Sequence, residues 1–294
     1  SKPIPMQFKQ SLVRLALIGL PISGFSQTTF LPQGDKSAIL LERLEIRAYK
    51  DSAFNFSKTR PLNRRHVMNA LFSPDGKNRL LQNNRIVKSL TRVDQYNLQR
   101  IMANNLEYLP DSLRVGFQTK KPVLKNFYTS PANLYEVHVK DFDLVINPVI
   151  QVTVSKEKDN SESLFQNTRG LTLRGRIANK IGFATYLTDN QERLPFYVRD
   201  FVSARKAVPG AGFYKDFKTT GYDYFDARGY LTFNVTKYID VAFGYDRNFI
   251  GNGYRSLLLS DVGNSNLFLK LNTRIWKFNY QNLFMELHNA DNRS

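Results

Sequence analysis

The sequence predicts a mainly β protein with an N-terminal helical region: about seven to eight strands of an antiparallel outer-membrane β-barrel, preceded by periplasmic helices. Three observations predict this fold class. The chain opens with a secretion signal, its hydrophobic period becomes alternating from Asp141 onwards, and short turns alternate with long loops in that second part. The predicted divisions are a signal segment (1–26), a helical region (27–135) and the first part of a barrel (136–294).

The signal segment has the three parts of a secretory peptide. Lys9 and Arg14 provide positive charge, Leu15–Ile22 form a short apolar core, and Gly24 and Ser26 are the small residues before a cleavage site. A short buried helix is the alternative. The apolar core is too short to cross a bilayer, and no later stretch reaches the roughly 18 apolar residues that a membrane-spanning helix needs. We therefore expect export, cleavage after Ser26 and location in the outer membrane without a helical anchor.

Residues 27–135 show helical periodicity. The predicted helices cover residues 35–49, 62–72 and 91–109, and residues 110–135 form a connector. Asp35 is a suitable N-cap for the first helix, and Pro110 ends the third.

Charge is concentrated in the helical part of the chain. The formal net charge is +17, and residues 27–130 carry 18 basic against 8 acidic side chains. This excess indicates an anionic partner, although solvated helix faces are an equally good explanation. The chain has no cysteine, which excludes disulfides, thiolate metal sites and thiol nucleophiles.

The second part contains strands of about ten residues with one apolar face, a length and alternation typical of membrane-spanning β-strands. In one of them, Leu231, Phe233 and Val235 alternate with polar residues. The clearest strands are residues 141–154, 167–178, 226–236, 237–247 and 267–276, and less regular ones are residues 180–188 and 277–287.

The connections between these strands alternate in length. They are tight near Asn179, Thr236 and Trp276, and long at residues 156–166, 190–221 and 248–265. Short periplasmic turns and long external loops are typical of outer-membrane barrels, whereas a soluble β-sandwich, the alternative, does not need them. Seven strands are an odd number, so we expect this chain to be the front half of a longer protein whose remainder closes the barrel.

No motif supports catalysis. The three histidines, His66, His138 and His288, lie in different elements without the spacing of a metal site. Gly251-Asn252-Gly253 lacks the third glycine of a dinucleotide loop, and no GxSxG elbow is present. We expect no enzymatic activity, no cofactor and no metal.

One long motif resembles a known family. The stretch GYDRNFIGNGYRSLLLSD (244–261) resembles the signature of the capsule-assembly Wzi family. The stretches RLPFYVRDFV (193–202), YDYFDARGYLTFN (222–234) and LKLNTRIWKFNYQNLFMEL (269–287) resemble its RemB-type, gliding-motility-associated branch found in Bacteroidetes. LLERLEIR (40–47) and RPLNRR (60–65) resemble the helical N-terminus of that branch.

The resemblance implies an outer-membrane β-barrel with a helical bundle on its periplasmic side. Proteins of the Wzi type act as lectin-like factors that hold capsular polysaccharide at the cell surface, and RemB-type members are tied to gliding motility. This chain is shorter than a whole barrel of the family, which puts functions of a closed lumen in doubt.

The same motif contains a candidate glycan site. Arginine can form paired hydrogen bonds to carboxylates, aromatic rings offer flat surfaces for sugars, and the glycines allow close backbone approach. The candidate residues are Tyr245, Asp246, Arg247, Phe249, Tyr254 and Arg255. The alternative is a structural loop in which Arg247 pairs with Asp246 or Asp261.

Five basic residues fall on the polar faces of the predicted strands and should line one lumen. They are Arg174, Arg176, Arg228, Lys270 and Arg274. They could attract an anionic polymer, or they could be the solvated wall of a polar lumen.

The sequence therefore predicts a protein that binds or organises surface polysaccharide, in capsule assembly and retention or in support of gliding motility. The alternative function is an outer-membrane diffusion channel for anionic solutes. The expected partners are outer-membrane lipid, an anionic surface polysaccharide and the gliding or secretion machinery. Nucleic acid is not expected, because the chain is exported and lacks nucleic-acid-binding signatures.

Overall fold

The computed structural model describes residues 28–32, 34–48, 58–72, 84–109, 111–178, 180–236, 238–251, 255–276 and 278–287. The predicted signal segment lies outside them. The helices are α1 (Lys36–Ala48), α2 (Arg64–Phe72), α3 (Asn84–Ser89), α4 (Arg92–Ala103), α5 (Asp111–Arg114) and α6 (Phe196–Arg205), with 3-10 turns at Leu106–Tyr108 and Val115–Phe117. The strands are β1 (Thr59–Arg60), β2 (Tyr135–Val139), β3 (Phe142–Lys156), β4 (Ser163–Ile177), β5 (Ile181–Arg193), β6 (Lys215–Phe217), β7 (Gly221–Thr236), β8 (Ile239–Asp246), β9 (Phe249–Ile250), β10 (Asn266–Ile275) and β11 (Phe278–Met285).

Nine of the described strands form one large antiparallel sheet, which confirms a mainly β fold after a helical region. Its order is β11-β10-β8-β7-β5-β4-β3-β2, with the short β6 paired to β7. Within the described residues β2 and β11 are the two edges, so the sheet is open and no closed barrel forms. β2 was not predicted, because five residues are too few to establish an alternation.

Short and long connections alternate along the sheet, as the sequence predicted. The short ones are residues 140–141, 178–180, 237–238 and 276–277, and the long ones are residues 157–162, 194–220 and 247–265. Because the strands are antiparallel, all short connections lie at one end of the sheet, the turn end, and all long ones at the other, the loop end.

Four of the described helices differ from the prediction. The short helices α3 and α5 were not predicted, and α5 lies in the expected connector. The helix expected to reach Leu109 ends at Ala103. The side-chain amide of Asn105 donates to the carbonyl of Ile101 (2.6 Å), which competes with helix continuation. Helix α6, inside a predicted loop, follows Pro195, whose restricted φ suits a helix start.

The helical region has its own apolar core. It is built mainly from residues of α1, α2 and α4, together with Ile86 of α3. The largest fully buried members are Leu40, Leu41, Leu44, Val67, Met68, Leu71, Ile86 and Ile101. As predicted, Asp35 caps α1, because its carboxylate accepts from the backbone N–H of Ser37 (3.1 Å).

The start of α4 joins two helices. Thr91 and Asp94 form a reciprocal capping box. Asp94 also binds Arg43 (3.0 Å) and Arg47 (3.2 Å) of α1. Burial raises the pKa of Asp94, but the hydrogen bonds with Thr91 and Arg43 outweigh it and keep this pKa below its ordinary value.

We expect Thr91→Ala to destabilise the helical region by about 0.5–2 kcal/mol, because the first turn of α4 loses its cap. The free energy of unfolding, followed by circular dichroism in urea, measures this. The control is Thr219→Ala, at an exposed position before β7. Equal effects of the two substitutions would contradict a capping role for Thr91.

The sheet has an apolar outer face and a polar inner face. On the outer face of β7, Leu231 and Phe233 are 50% and 40% exposed. On the inner face of the same strand, Thr232 donates to the carbonyl of Thr28 (2.6 Å), and the Tyr230 hydroxyl accepts from the backbone N–H of Phe30 (2.8 Å). The helical region therefore packs on the polar face, and the apolar face is left exposed.

A glycine makes this close approach possible. A Cβ atom on Gly182 of β5 would lie 2.4 Å from the Thr232 hydroxyl and 2.8 Å from the carbonyl oxygen of Thr28. Further along the inner face, Lys270 donates to the carbonyl of Arg60 (3.3 Å). β1 pairs with β9, which ties the helical region to the long loop after β8.

His66 of α2 is half-buried where the helical region meets the sheet. Its Nε2 lies 4.0 Å from the Asp240 carboxylate. Burial, aided by the positive charges of Arg274 and Arg65, lowers the pKa of His66 to about 4.

This depressed pKa predicts a loss of stability in acid. The unfolded chain takes up the proton near pH 6.5 and the folded chain only near pH 4. The free energy of unfolding should therefore fall between these values, by at most about 1.4 kcal/mol per pH unit for one proton. His66→Gln should flatten the profile of urea unfolding between pH 7 and pH 4. An unchanged slope in this variant would exclude His66 as the source.

Candidate functional site

A polar cavity of about 440 Å³ opens at the loop end of the inner face, and we call it the outer cavity. Arg228, Arg247 and Arg255 contribute basic groups to its wall, and Tyr186 and Tyr224 contribute aromatic rings. Amide side chains from β3, β4 and β5 complete this part of the wall: Gln151, Gln166 and Asn190. Such a mixture suits a ligand that has hydroxyl groups and negative charge.

Two arginines of the outer cavity share one carboxylate. Arg228 Nε lies 3.1 Å from Asp226 Oδ1, and Arg247 Nη2 lies 3.9 Å from Asp226 Oδ2. The Arg228 guanidinium stacks 4.1 Å from the ring centroid of Tyr186, and Arg247 donates to the carbonyl of Gly210 (2.6 Å). These contacts hold both guanidinium groups in place before any ligand arrives.

Gly210 shapes this part of the wall. Its φ of +79° is a conformation that side-chain-bearing residues rarely adopt. The turn is closed by the backbone hydrogen bonds between Val208 and Gly212 (2.9 Å). Its carbonyl thereby reaches Arg247, and the long loop after β5 is joined to the end of β8.

The structure divides the predicted glycan residues. Arg247 and Arg255 line the outer cavity, and Asp246 lies beside it, 3.6 Å from Arg228 Nη1. Tyr245 lies on the outer face and is 48% exposed, because neighbouring strand residues point to opposite faces. Phe249 is 1% exposed and is covered by the guanidinium of Arg60, 4.9 Å from the ring centroid. The last predicted residue, Tyr254, lies outside the described residues.

The alternative prediction for this loop named ion-pair partners for Arg247. Arg247 was expected to pair with Asp246 or Asp261. Its guanidinium instead approaches Asp226, and its backbone N–H donates to Asp246 (2.8 Å).

The five predicted lumen residues all lie on the inner face, but helices or neighbouring side chains cover most of them. Arg174 pairs with Glu107 and donates to the carbonyl of Asn104 (2.7 Å). Arg176 pairs with Asp143 of the neighbouring strand.

The remaining three occupy different positions. Lys270 is 5% exposed beneath β1. The backbone of Arg274 donates to the carbonyl of Tyr238 at the turn end (2.8 Å). Arg228 alone among the five lines the outer cavity.

Sequence reasoning did not identify Tyr186, Tyr224 or the three amide residues of the outer cavity. Tyr186 belongs to β5, whose alternation was judged irregular. On the outer face of β5, Asp189 binds Arg169 (2.7 Å). Both faces of the strand are therefore polar at that point, and the sequence does not show an alternation of apolar and polar residues there. A search for aromatic residues on polar strand faces would have found both tyrosines.

The described part of the chain contains neither a metal-binding cluster nor a membrane-spanning helix. No group of three or more histidine, aspartate or glutamate side chains there could hold a metal ion. No helix in those residues is long and apolar enough to cross a membrane.

Comparisons of the chain with protein-family models, with curated proteins and with solved structures find no match. Function is therefore inferred from the two faces of the sheet and from the outer cavity.

Proposed function

We propose that this protein belongs to the outer membrane, where its apolar outer face contacts lipid and its inner face binds an anionic surface polysaccharide. The exposed apolar face is the observation that carries the proposal. Large apolar side chains on it are exposed on six strands: Ile150, Val152, Val154, Leu171, Leu231, Phe233, Phe243, Leu267, Leu269, Ile275, Phe278 and Phe284. In water each would lose the favourable burial that stabilises a soluble core, about 25 cal/mol per Å².

The two ends of this face also suit a membrane. Tyr238, Trp276 and Phe278 are 43%, 78% and 71% exposed at the turn end, as in the aromatic girdle of a barrel. Towards the loop end the exposed pair Arg169–Asp189 interrupts the apolar surface. On β4 and β5 the apolar surface is then a band with an aromatic and a charged border, and on β3 it continues past this border to Val154.

In lipid, the backbone N–H and C=O groups of the edge strands of a sheet need hydrogen-bond partners. Unpaired backbone groups cost several kcal/mol each in hydrocarbon. The proposal therefore includes a closed barrel, in which further strands pair with β2 and β11.

The outer cavity supports the polysaccharide part of the proposal. Arg228, Arg247 and Arg255 suit carboxylates, and Tyr186 and Tyr224 suit the faces of sugar rings. The residues around Thr28, at the start of the helical region, and β1 both lie against the inner face. This occupation favours binding over the alternative, a diffusion channel. Retention of capsule and support of gliding both follow from holding a surface glycan.

Cell fractionation of the full-length protein, followed by a heat-modifiability gel of the outer-membrane fraction, tests its location. We expect a membrane band whose mobility changes on boiling, since closed barrels resist unfolding by detergent in the cold. A soluble periplasmic protein with no mobility change would overturn both the barrel and the lipid contact.

Arg247→Ala and Arg255→Ala test the glycan site. We expect each to reduce retention of surface polysaccharide, because each removes a charge-assisted contact of about 1.5–3 kcal/mol. Arg169→Ala, on the outer face, is the matched control. Unchanged retention in correctly assembled variants would exclude the outer cavity, and loss of assembly in both would indicate a structural loop.

A further inference from the structure

A second cavity, of about 370 Å³, lies deeper on the inner face between the helical region and the sheet. We call it the inner cavity. Tyr186 and Arg228 line both cavities, so the two adjoin at these side chains. The inner volume lies within the range of about 300–1,000 Å³ that is usual for ligand pockets.

The deep end of the inner cavity is built from a fixed cluster. Arg64 is 5% exposed and donates to the carbonyls of Phe30 (3.0 Å) and Asn104 (3.2 Å) and to the side chain of Asn105 (2.6 Å). Arg174 donates to the same Asn104 carbonyl (2.7 Å). The cluster ties the helices to the sheet, so a long polymer has no path through this end.

The same cluster leaves positive charge facing the cavity. The three acceptors of Arg64 are neutral oxygens, and among the described residues no carboxylate forms an ion pair with it. Arg174 is paired with Glu107. Of the two carboxylates that the described residues place on the wall, Asp35 caps α1 and Asp246 lies 3.6 Å from Arg228 Nη1. Burial lowers the pKa of Arg64 to about 10, so the group remains charged at neutral pH. A buried charge of this kind favours an anion beside it.

We propose that the inner cavity receives the negatively charged terminal sugar of a glycan chain, with Arg64 as its counter-charge. The rest of the chain leaves past Tyr186 and Arg228 into the outer cavity. This inference rests on the proposed polysaccharide binding and adds that the end of the chain is recognised, because the deep end of the cavity is closed. A uronate end satisfies this chemistry through its carboxylate.

End recognition predicts how binding scales with chain length. The full protein, purified in detergent, is titrated calorimetrically with tetragalacturonate and with long polygalacturonate. We expect each protein molecule to bind one tetragalacturonate. For the polymer, we expect the number of protein molecules bound to equal the number of polygalacturonate chains and not to increase with their length. Maltotetraose, which is neutral, should bind roughly tenfold more weakly or less. Many protein molecules bound along each polymer chain would overturn the proposal.

Two variants test the cavity itself. Ala184→Phe fills it from β5 without removing a hydrogen bond of the cluster, and Arg64→Gln removes the charge. We expect each to weaken tetragalacturonate binding roughly tenfold or more. Arg169→Gln, on the outer face, should bind like the wild type. If Arg64→Gln fails to fold, tetragalacturonate binding by Ala184→Phe alone tests the inner-cavity assignment.

The outcomes separate this inference from the proposed function. Binding that depends on Arg247 but is unchanged in Ala184→Phe would overturn the inner-cavity assignment and leave the glycan-binding proposal intact. A wild-type protein that binds neither galacturonate nor glucuronate oligosaccharides would overturn both.

Discussion

Leu231→Arg is expected to destabilise the folded protein by about 2–4 kcal/mol in a bilayer, the cost of an arginine near the midplane of a membrane barrel. Leu231 lies in the middle of β7 on the outer face, paired with Phe183 of β5 and Phe243 of β8. It is 50% exposed, so an arginine has room there. In water the same substitution would be nearly neutral, since exposed positions usually tolerate charge. The measurements are the heat-modifiable fraction in outer membranes and urea unfolding in phospholipid vesicles.

The control for this prediction lies on the same face but near the loop end, where polar and apolar residues are mixed. Asn167 of β4 pairs with Gln191 near the loop end, and Asn167→Arg should have a small effect. A Leu231→Arg variant that assembles as well as Asn167→Arg would place the outer face in water. The apolar face would then need a protein partner instead of lipid.

Glu107→Gln is expected to have the second large effect, a loss of about 3–5 kcal/mol in the free energy of unfolding. The Glu107 and Arg174 side chains are only 4% and 14% exposed. Removing the carboxylate leaves the guanidinium buried without its counter-charge, which costs more than the pair itself contributes. The helical region should then detach from the sheet more readily. Urea unfolding and protease sensitivity of the helices measure this.

A double substitution distinguishes charge from packing. Glu107→Leu combined with Arg174→Met removes both charges and should recover most of the lost stability. The exposed pair provides a comparison, because Asp189→Asn should cost no more than about 1 kcal/mol. Similar losses for Glu107→Gln and Asp189→Asn would show that the buried pair does not anchor the helices.

The placement of the helices also changes the chemistry of the inner face. Without them, the basic residues of the strands would line a wet lumen and attract anions along its whole length. With them, Arg174 and Lys270 are covered, and Arg228 remains on the wall of the outer cavity. Positive charge is therefore confined to a cleft, which favours a specific ligand over general permeation.

Local patterns were sufficient for much of this fold. Alternation along β7 and β10 predicted both strands, because apolar residues recur at every second position of one face through most of residues 227–235 and 267–275. The helical spacing of apolar residues after Thr91 predicted the start of α4 to within one residue. The end of α4 was missed, since Asn105 acts through a side-chain hydrogen bond that composition does not reveal.

The candidate site was only partly predictable. Because side chains alternate between the two faces of a strand, the sequence correctly placed Arg228 and the other four predicted lumen residues on one face. It could not show that Arg247 approaches Asp226, which lies 21 positions earlier in the chain and reaches it through strand pairing. Alternation would also place Tyr245 and Arg247 on the same face. They lie on different faces because the chain leaves the sheet just after Asp246.

The sequence by itself determined the longer elements and the chemistry of each face: helices first, then strands with an apolar and a polar side joined by alternating short and long connections. These depend on neighbours within about ten residues, which periodicity reports directly. The tertiary structure alone decided which face the helices cover, and so which charges are paired and which line a cavity. That choice depends on contacts between distant segments, such as Thr28 with Thr232 and Glu107 with Arg174. No local pattern encodes it, because the free energy of such contacts exists only once both segments have folded together.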